Sequence, residues 1–157
     1  MDRNQLFPKV ESMVDLGVRF DNNLTFRDHI SEKINKAYSV LGIIKRNFIY
    51  MDERTFTLLY KSMVRPHVEF ANSVWCPYKI GDSKEIEKIQ KRVTKLVIKL
   101  KNKSYIDRLI YLNLPTLKYR RLRGDMIEVF KITHHIYDRT VSPDLPLNER
   151  ANTRGNH

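Results

Sequence analysis

"IQKRVTKLVIKL", residues 89–100, is the stretch on which the fold turns. Read at helical period, Ile89, Val93, Leu96, Val97 and Leu100 recur at offsets of three and four, while Lys91, Lys95 and Lys99 fall on another face. Such a segment closes a helical core with one side and holds a row of ammonium groups in water with the other. The fold follows from the oily side, and the function turns on the use of the cationic one.

The same period extends outward in both directions. Towards the N-terminus, Thr25 with Asp28 has the form of a capping box, and Ile30, Ile34, Ala37, Leu41, Ile44 and Phe48 predict a first helix over 26–47. Asp52 can cap a second helix bearing Phe56, Leu59, Tyr60 and Met63, interrupted at Pro66 and resuming to Trp75. "PHVEFANSVW", residues 66–75, is apolar around most of its circumference, which predicts a place at the centre of the bundle with Trp75 as a core anchor. Asp82 or Ser83 opens the third helix, which contains residues 89–100 and fades near Asn102. Ser104 with Asp107 forms a second capping box for a short helix to Leu112. Pro115 suits the first turn of a fifth helix running to Tyr137.

Ahead of the helices, "MVDLGVRF", residues 13–20, alternates as a short strand, followed by a turn at Asp21, Asn22 and Asn23. A lone strand leaves its backbone groups unpaired, so its partner is expected either in residues 4–10 or in sequence absent here. The last twenty residues, "DRTVSPDLPLNERANTRGNH", have two prolines and no period, as a linker or frayed end does. The expected fold is mainly α, about five helices preceded by a short strand or hairpin remnant.

A chain of 157 residues with 41% hydrophobic content can fill one core. Its single cysteine, Cys76, cannot form an internal disulfide and has no zinc-type neighbours in sequence, and no stretch has the length of a membrane span or signal core. These features read as an intracellular chain, nuclear or cytoplasmic, with no membrane partner. The formal charge is +11, and residues 84–123 hold thirteen Lys or Arg against three acids, Glu85, Glu87 and Asp107. That concentration suits a polyanion; the plainer alternative is a solvated surface that keeps the domain soluble.

Signs of chemistry are missing from the sequence. There is no Gly-rich phosphate loop, nucleophile elbow or His-Glu zinc helix, and the histidines are scattered apart from His134 and His135, which diverge on a helix. The acids occur singly or in caps, with no Asp-Asp pair from which to build a two-metal nucleotidyl transfer site. No catalytic residue and no metal ligand is assigned. The fifth helix carries an anomaly instead: Lys118, Arg120, Arg121 and Arg123 crowd its first turns, where the dipole disfavours cations by a few tenths of a kcal/mol each. Lys99, Lys101 and Lys103, near the expected end of the third helix, suit the dipole without a partner. On this reading the arginines are the stronger phosphate candidates.

Four blocks, "DLGVRFDNNLTFRDHI", "LLYKSMVRPHVEFANSVWCPY", "IEKIQKRVTKLV" and "SYIDRLIYLNLPTLKYRRLRGDMIEVFKI", occur in the order and spacing found after the catalytic palm in reverse transcriptases of non-LTR retrotransposons. The chain resembles that LINE or Jockey-like group from about Val14 to Tyr137. The resemblance implies that Leu16, Gly17 and Val18 belong to the primer-grip hairpin, and that the helices form a thumb clasping template and primer. It divides the chain into a palm-edge segment (1–24), a thumb-like helical domain (25–138) and a flexible tail (139–157), cut short on both sides. It also places the catalytic aspartates upstream of the hairpin, in a palm that this chain lacks.

The expected function is therefore that of a fragment of an RNA-directed DNA polymerase, inactive alone. Its partners are the RNA/DNA template-primer duplex and the missing palm; it has no cofactor of its own, since Mg²⁺ belongs to the intact polymerase. Duplex phosphates would meet Lys88, Lys91, Arg92, Lys95, Lys99, Lys118, Arg120, Arg121 and Arg123 irrespective of sequence. The alternative is a non-catalytic helical module that binds an acidic protein or an anionic surface through the same face.

Overall fold

The computed structural model describes residues 10–138, 140–143 and 145. Among these the chain is mainly helical, with one antiparallel hairpin ahead of the helices. Strand β1 (Ser12–Asp15) pairs with β2 (Val18–Asp21), Asp15 opposite Val18 and Ser12 opposite Asp21. Leu16 and Gly17 connect them with φ of 45° and 79°. Two successive positive φ values make the turn whose twist matches that of paired strands. The single strand expected over 13–20 is thus corrected to a hairpin, and its partner lies within the same stretch, not in a missing palm. Of residues 4–10, the other expected partner, only Val10 is described.

Asp21 ends the hairpin and begins the next element. Its carboxylate accepts the N–H groups of Thr25, Asn23 and Phe26 at 3.0, 3.0 and 2.7 Å and the Thr25 hydroxyl at 3.0 Å. These bonds, the Thr25 N–H first among them, hold the Asp21 pKa below the usual carboxylate range. They replace the capping box expected from Thr25 and Asp28: Phe26 takes the N-cap position in a left-handed conformation, without a side-chain bond. Helix α1 (Arg27–Asn47) then lies along the bundle with one face inward, burying His29, Ile30, Ala37 and Ile44. It packs against the segment around Pro66 and against the helix that begins the cationic stretch.

Helix α2 (Glu53–Leu59) begins at Asp52, whose side chain accepts the Thr55 N–H at 3.2 Å, as its sequence predicts. The ring of Pro66 has no N–H for the Ser62 carbonyl and crowds it. Over Tyr60–Val64 the backbone accordingly widens into a π-turn, with the Arg65 N–H reaching Tyr60, before α3 (Arg65–Glu69) resumes. Ala71, at φ 52°, separates α3 from α4 (Asn72–Trp75). The segment 66–75 is therefore two short helices, with Val68 and Trp75 buried but Phe70 and Val74 about half exposed, and only part of it is central.

Helix α5 spans Ile80–Val93, starting before the expected Asp82 or Ser83 cap and ending well before Asn102. Two 3₁₀ turns follow, Thr94–Leu96 and Ile98–Leu100. The early end has a cause outside the segment. The Thr94 hydroxyl donates to the Gln90 carbonyl at 2.9 Å and accepts from Arg108 Nε at 3.0 Å, while the same guanidinium donates to the carbonyls of Lys103 at 2.6 Å and Lys91 at 3.4 Å. A buried arginine thus occupies the end of α5 and takes the Lys91 carbonyl that a longer helix would have used. Even so, Ile89, Val93, Val97 and Leu100 point inward and Lys91, Lys95 and Lys99 outward, so the two-sided character of residues 89–100 survives the change of helix type.

Helix α6 (Tyr105–Tyr111) is capped by Ser104 and closes on Asn113, whose φ of 48° lets the Leu114 N–H return to Leu109. Helix α7 (Leu117–Thr133) is capped by Thr116, so Pro115 precedes the helix and does not sit in its first turn. It stops at Thr133, short of Tyr137, because His135 turns left-handed (φ 52°) and the Ile136 N–H bonds back to Lys131. Among the described residues no helix is long and apolar enough to cross a membrane. Most of the expected tail lies outside the described residues.

The hairpin is tied to α1 by a buried histidine. His29 Nδ1 accepts the Arg19 N–H at 3.1 Å, its ring meets Trp75 edge-on at 5.3 Å, and its Nε2 has no partner. Burial, and next the Lys33 ammonium, hold its pKa below the ordinary 6.5. The unfolded chain therefore gains a proton as pH falls through about 6.5, before the folded chain does. Stability is complete above that pH and falls below it, by at most about 1.4 kcal/mol per pH unit from this group. His67 is shifted in the same direction by burial. In His29→Gln, stability measured by denaturant at neutral and mildly acid pH should show a shallower pH slope; a slope equal to that of the parent would clear His29 of this role.

Candidate nucleic-acid interface

Helix α5 displays Lys84, Lys88, Lys91 and Lys95 at spacings of four, three and four, all exposed, with Lys95 just beyond the helix end and Lys99 after it. The inward residues Ile86, Ile89 and Val93 fix this rotation by packing into the core, so the ammonium groups cannot turn away from solvent. Lys88 pairs with Glu85 at 2.5 Å and Lys99 with Glu53 at 3.6 Å. Lys91 lies 5.3 Å over the Tyr105 ring, and Arg92 lies 5.0 Å over the Tyr38 ring. Among the described residues no carboxylate is within ion-pair distance of Lys84, Lys91, Arg92, Lys95, Lys118 or Arg123.

The fifth-helix arginines are placed differently from expectation. Arg120 donates to both oxygens of Glu69, at 2.5 and 3.0 Å, and Arg65 shares the same carboxylate at 3.4 Å. The bond to Glu69 raises the Arg120 pKa further. Arg121 is only 4% exposed, its terminal nitrogens have no partner, and burial lowers its pKa. Both residues therefore point into the fold. The dipole anomaly that singled them out is resolved within the chain for Arg120 alone, which Glu69 neutralises, while Glu87 accepts the Lys118 backbone N–H at 3.3 Å and supplies at the start of α7 the carboxylate its own first turn lacks. Lys118 and Arg123 remain exposed.

One feature escapes a reading by charge alone. Lys84, Lys88, Lys91 and Lys118 converge on a groove of about 660 Å³ between α5, the start of α7 and Tyr105. Tyr78 and Ile80 form another wall of it. Within the groove Glu87 is held by the Tyr105 hydroxyl and by the Lys118 N–H. Burial and that bond push the Tyr105 pKa up, which keeps the phenol a donor. Lys84 and Tyr78 were legible only as an ordinary cation and an ordinary aromatic, because they become neighbours of Lys118 only once α7 folds back.

The hairpin residues separate as well. Leu16 is 87% exposed at the turn, and Gly17 accepts a hydrogen bond from Lys33 Nζ at 3.1 Å. Val18 is buried. Among the described residues no group of three or more His, Cys, Asp or Glu is gathered as a metal site. Searches among protein-family models, curated proteins and solved structures find no match to this chain.

Proposed function

We propose that the chain binds template-primer nucleic acid through the basic side of α5, as a thumb-like piece of a non-LTR reverse transcriptase that lacks its own catalytic centre. The observation that carries the proposal is the display of Lys84, Lys91, Lys95 and Lys118 on one side with no acidic partner among the described residues. On this reading the exposed Met13, Val14 and Leu16 of the hairpin are the side chains a palm would cover, while Val18 packs inward.

The test is a salt titration. Changing Lys84, Lys91, Lys95 and Lys118 to Gln should flatten the log-log dependence of affinity on salt by roughly 3, at about 0.7–0.9 per phosphate no longer neutralised. Gln preserves helix propensity. The matched control changes Arg27, Lys36, Lys45 and Arg46, four exposed cations of α1, and removes the same charge. Equal slopes for the two variants, both folded, would reduce the basic side to a solubilising surface.

A second reading, a non-catalytic interaction module, has one observation in its favour. Leu122, Met126, Val129 and Phe130 leave an apolar stripe uncovered on the outer side of α7. Polyglutamate and anionic vesicles competing as well as nucleic acid at equal charge would favour that reading.

A further inference from the structure

The groove beside α5 differs in kind from the rest of the basic side. Four ammonium groups surround it, but its walls include the ring of Tyr78, 72% exposed, and Ile80, 74% exposed. Neither residue closes the core. A domain that needs only charge to hold a duplex gains nothing from an aromatic ring among its lysines, because paired bases are stacked on one another and offer that ring no free face. An unpaired base has two free faces and stacks on an aromatic side chain whatever its identity.

We propose that this groove takes a short unpaired stretch of nucleic acid, with a base against Tyr78 and Ile80 and phosphates at Lys84, Lys88, Lys91 and Lys118. The inference rests on the nucleic-acid reading above and adds a strand preference to it. The spacing is suited to a chain of phosphates: along α5 the axis advances about 6 Å from Lys84 to Lys88 and about 4.5 Å from Lys88 to Lys91. Lys118 reaches the groove from the start of α7, so the cations stand on two elements with the aromatic wall among them. Among the described residues Glu87 is the one carboxylate lining the groove and opposes an incoming phosphate there, but the Tyr105 hydroxyl and the Lys118 N–H fix its position and four ammonium groups outnumber it. Lys88 has a partner to exchange, the exposed pair with Glu85, which contributes little in water.

The experiment measures binding of the full chain to a labelled oligothymidylate and to a labelled blunt-ended duplex with the same number of phosphates. Tyr78→Ala should weaken oligothymidylate binding about 5- to 150-fold, the equivalent of roughly 1–3 kcal/mol for one stacked base, and leave the duplex within about twofold. Tyr78→Phe keeps the ring and should bind like the parent. Since Tyr78 is exposed, both variants should retain the parental melting temperature. Equal effects of Tyr78→Ala on the two ligands, or none on either, would overturn the groove assignment while leaving the basic side intact. Displacement of oligothymidylate by polyglutamate of equal charge as effectively as by unlabelled oligothymidylate would also overturn it, in favour of a general anion surface. If the parent binds neither ligand, the nucleic-acid reading fails and the groove assignment with it.

Discussion

Trp75→Ala is expected to destabilise the protein by about 4–6 kcal/mol, which for a domain of ordinary stability removes most of the folded population's margin. Trp75 is 1% exposed and sits where α4 ends against α1 and α7, with the His29 ring against its edge. Truncation to alanine opens a cavity worth roughly 3–5 kcal/mol for an aromatic side chain. It also removes the indole N–H that donates to the Phe70 carbonyl at 2.7 Å, a further loss of about 1 kcal/mol. Trp75→Phe keeps most of the volume and should recover more than half of the loss. The measurement is chemical denaturation followed by helical circular dichroism, because Trp75 is the only tryptophan and its fluorescence vanishes with the substitution. A loss below about 1 kcal/mol would mean that the surroundings collapse onto the site, and that Trp75 is not the anchor its burial implies.

The parts of the fold legible in the sequence are those whose causes lie within a few residues. Asp52 and Ser104 cap the helices they precede because an N-cap needs only a side chain and the N–H three positions on. The inward set of residues 89–100 was readable for the same reason, as periodicity is a local property. The end of α5 was not, because the guanidinium that terminates it comes from Arg108, fourteen residues beyond the Thr94 hydroxyl it meets. Nor was the hairpin fully visible. Its turn holds Leu16 at positive φ, where Asn, Asp or Gly is the usual signal, so the flanking strands read as one.

At the candidate site the lysines are exposed on the face their spacing predicts, while Arg120 pairs with Glu69 and Arg121 is buried. A charged side chain on a strongly two-sided segment has its direction set by that segment, whatever else the chain does. A charged side chain near a helix start depends on what faces it, and the acids facing α7 come from elsewhere: Glu69 lies 51 residues before Arg120 and Glu87 lies 31 before Lys118. The dipole argument points to phosphate for these cations, whereas Arg120 has an internal carboxylate instead, which no local pattern around it announces.

That internal carboxylate yields the second large effect. Arg120→Gln is expected to lower stability by about 2–3 kcal/mol and to leave nucleic-acid affinity within about twofold in the protein that remains folded, a discounted figure for a pair that is partly open to water. The two-pronged contact from Arg120 to Glu69 ties α7 to α3, with both side chains mostly withdrawn from solvent, and Arg65 holds the same carboxylate from its own helix. Losing Arg120 leaves Glu69 with a single, longer partner. Glu69→Gln should destabilise similarly, since it strands two half-buried guanidinium groups, and the double variant should cost less than the sum of the two. The coupling measured by that cycle separates an internal ion pair from a surface arginine waiting for phosphate. If instead Arg120→Gln leaves the denaturation midpoint unchanged and weakens binding to every nucleic acid alike, the guanidinium is spending its time outside the fold, and the basic side extends onto α7.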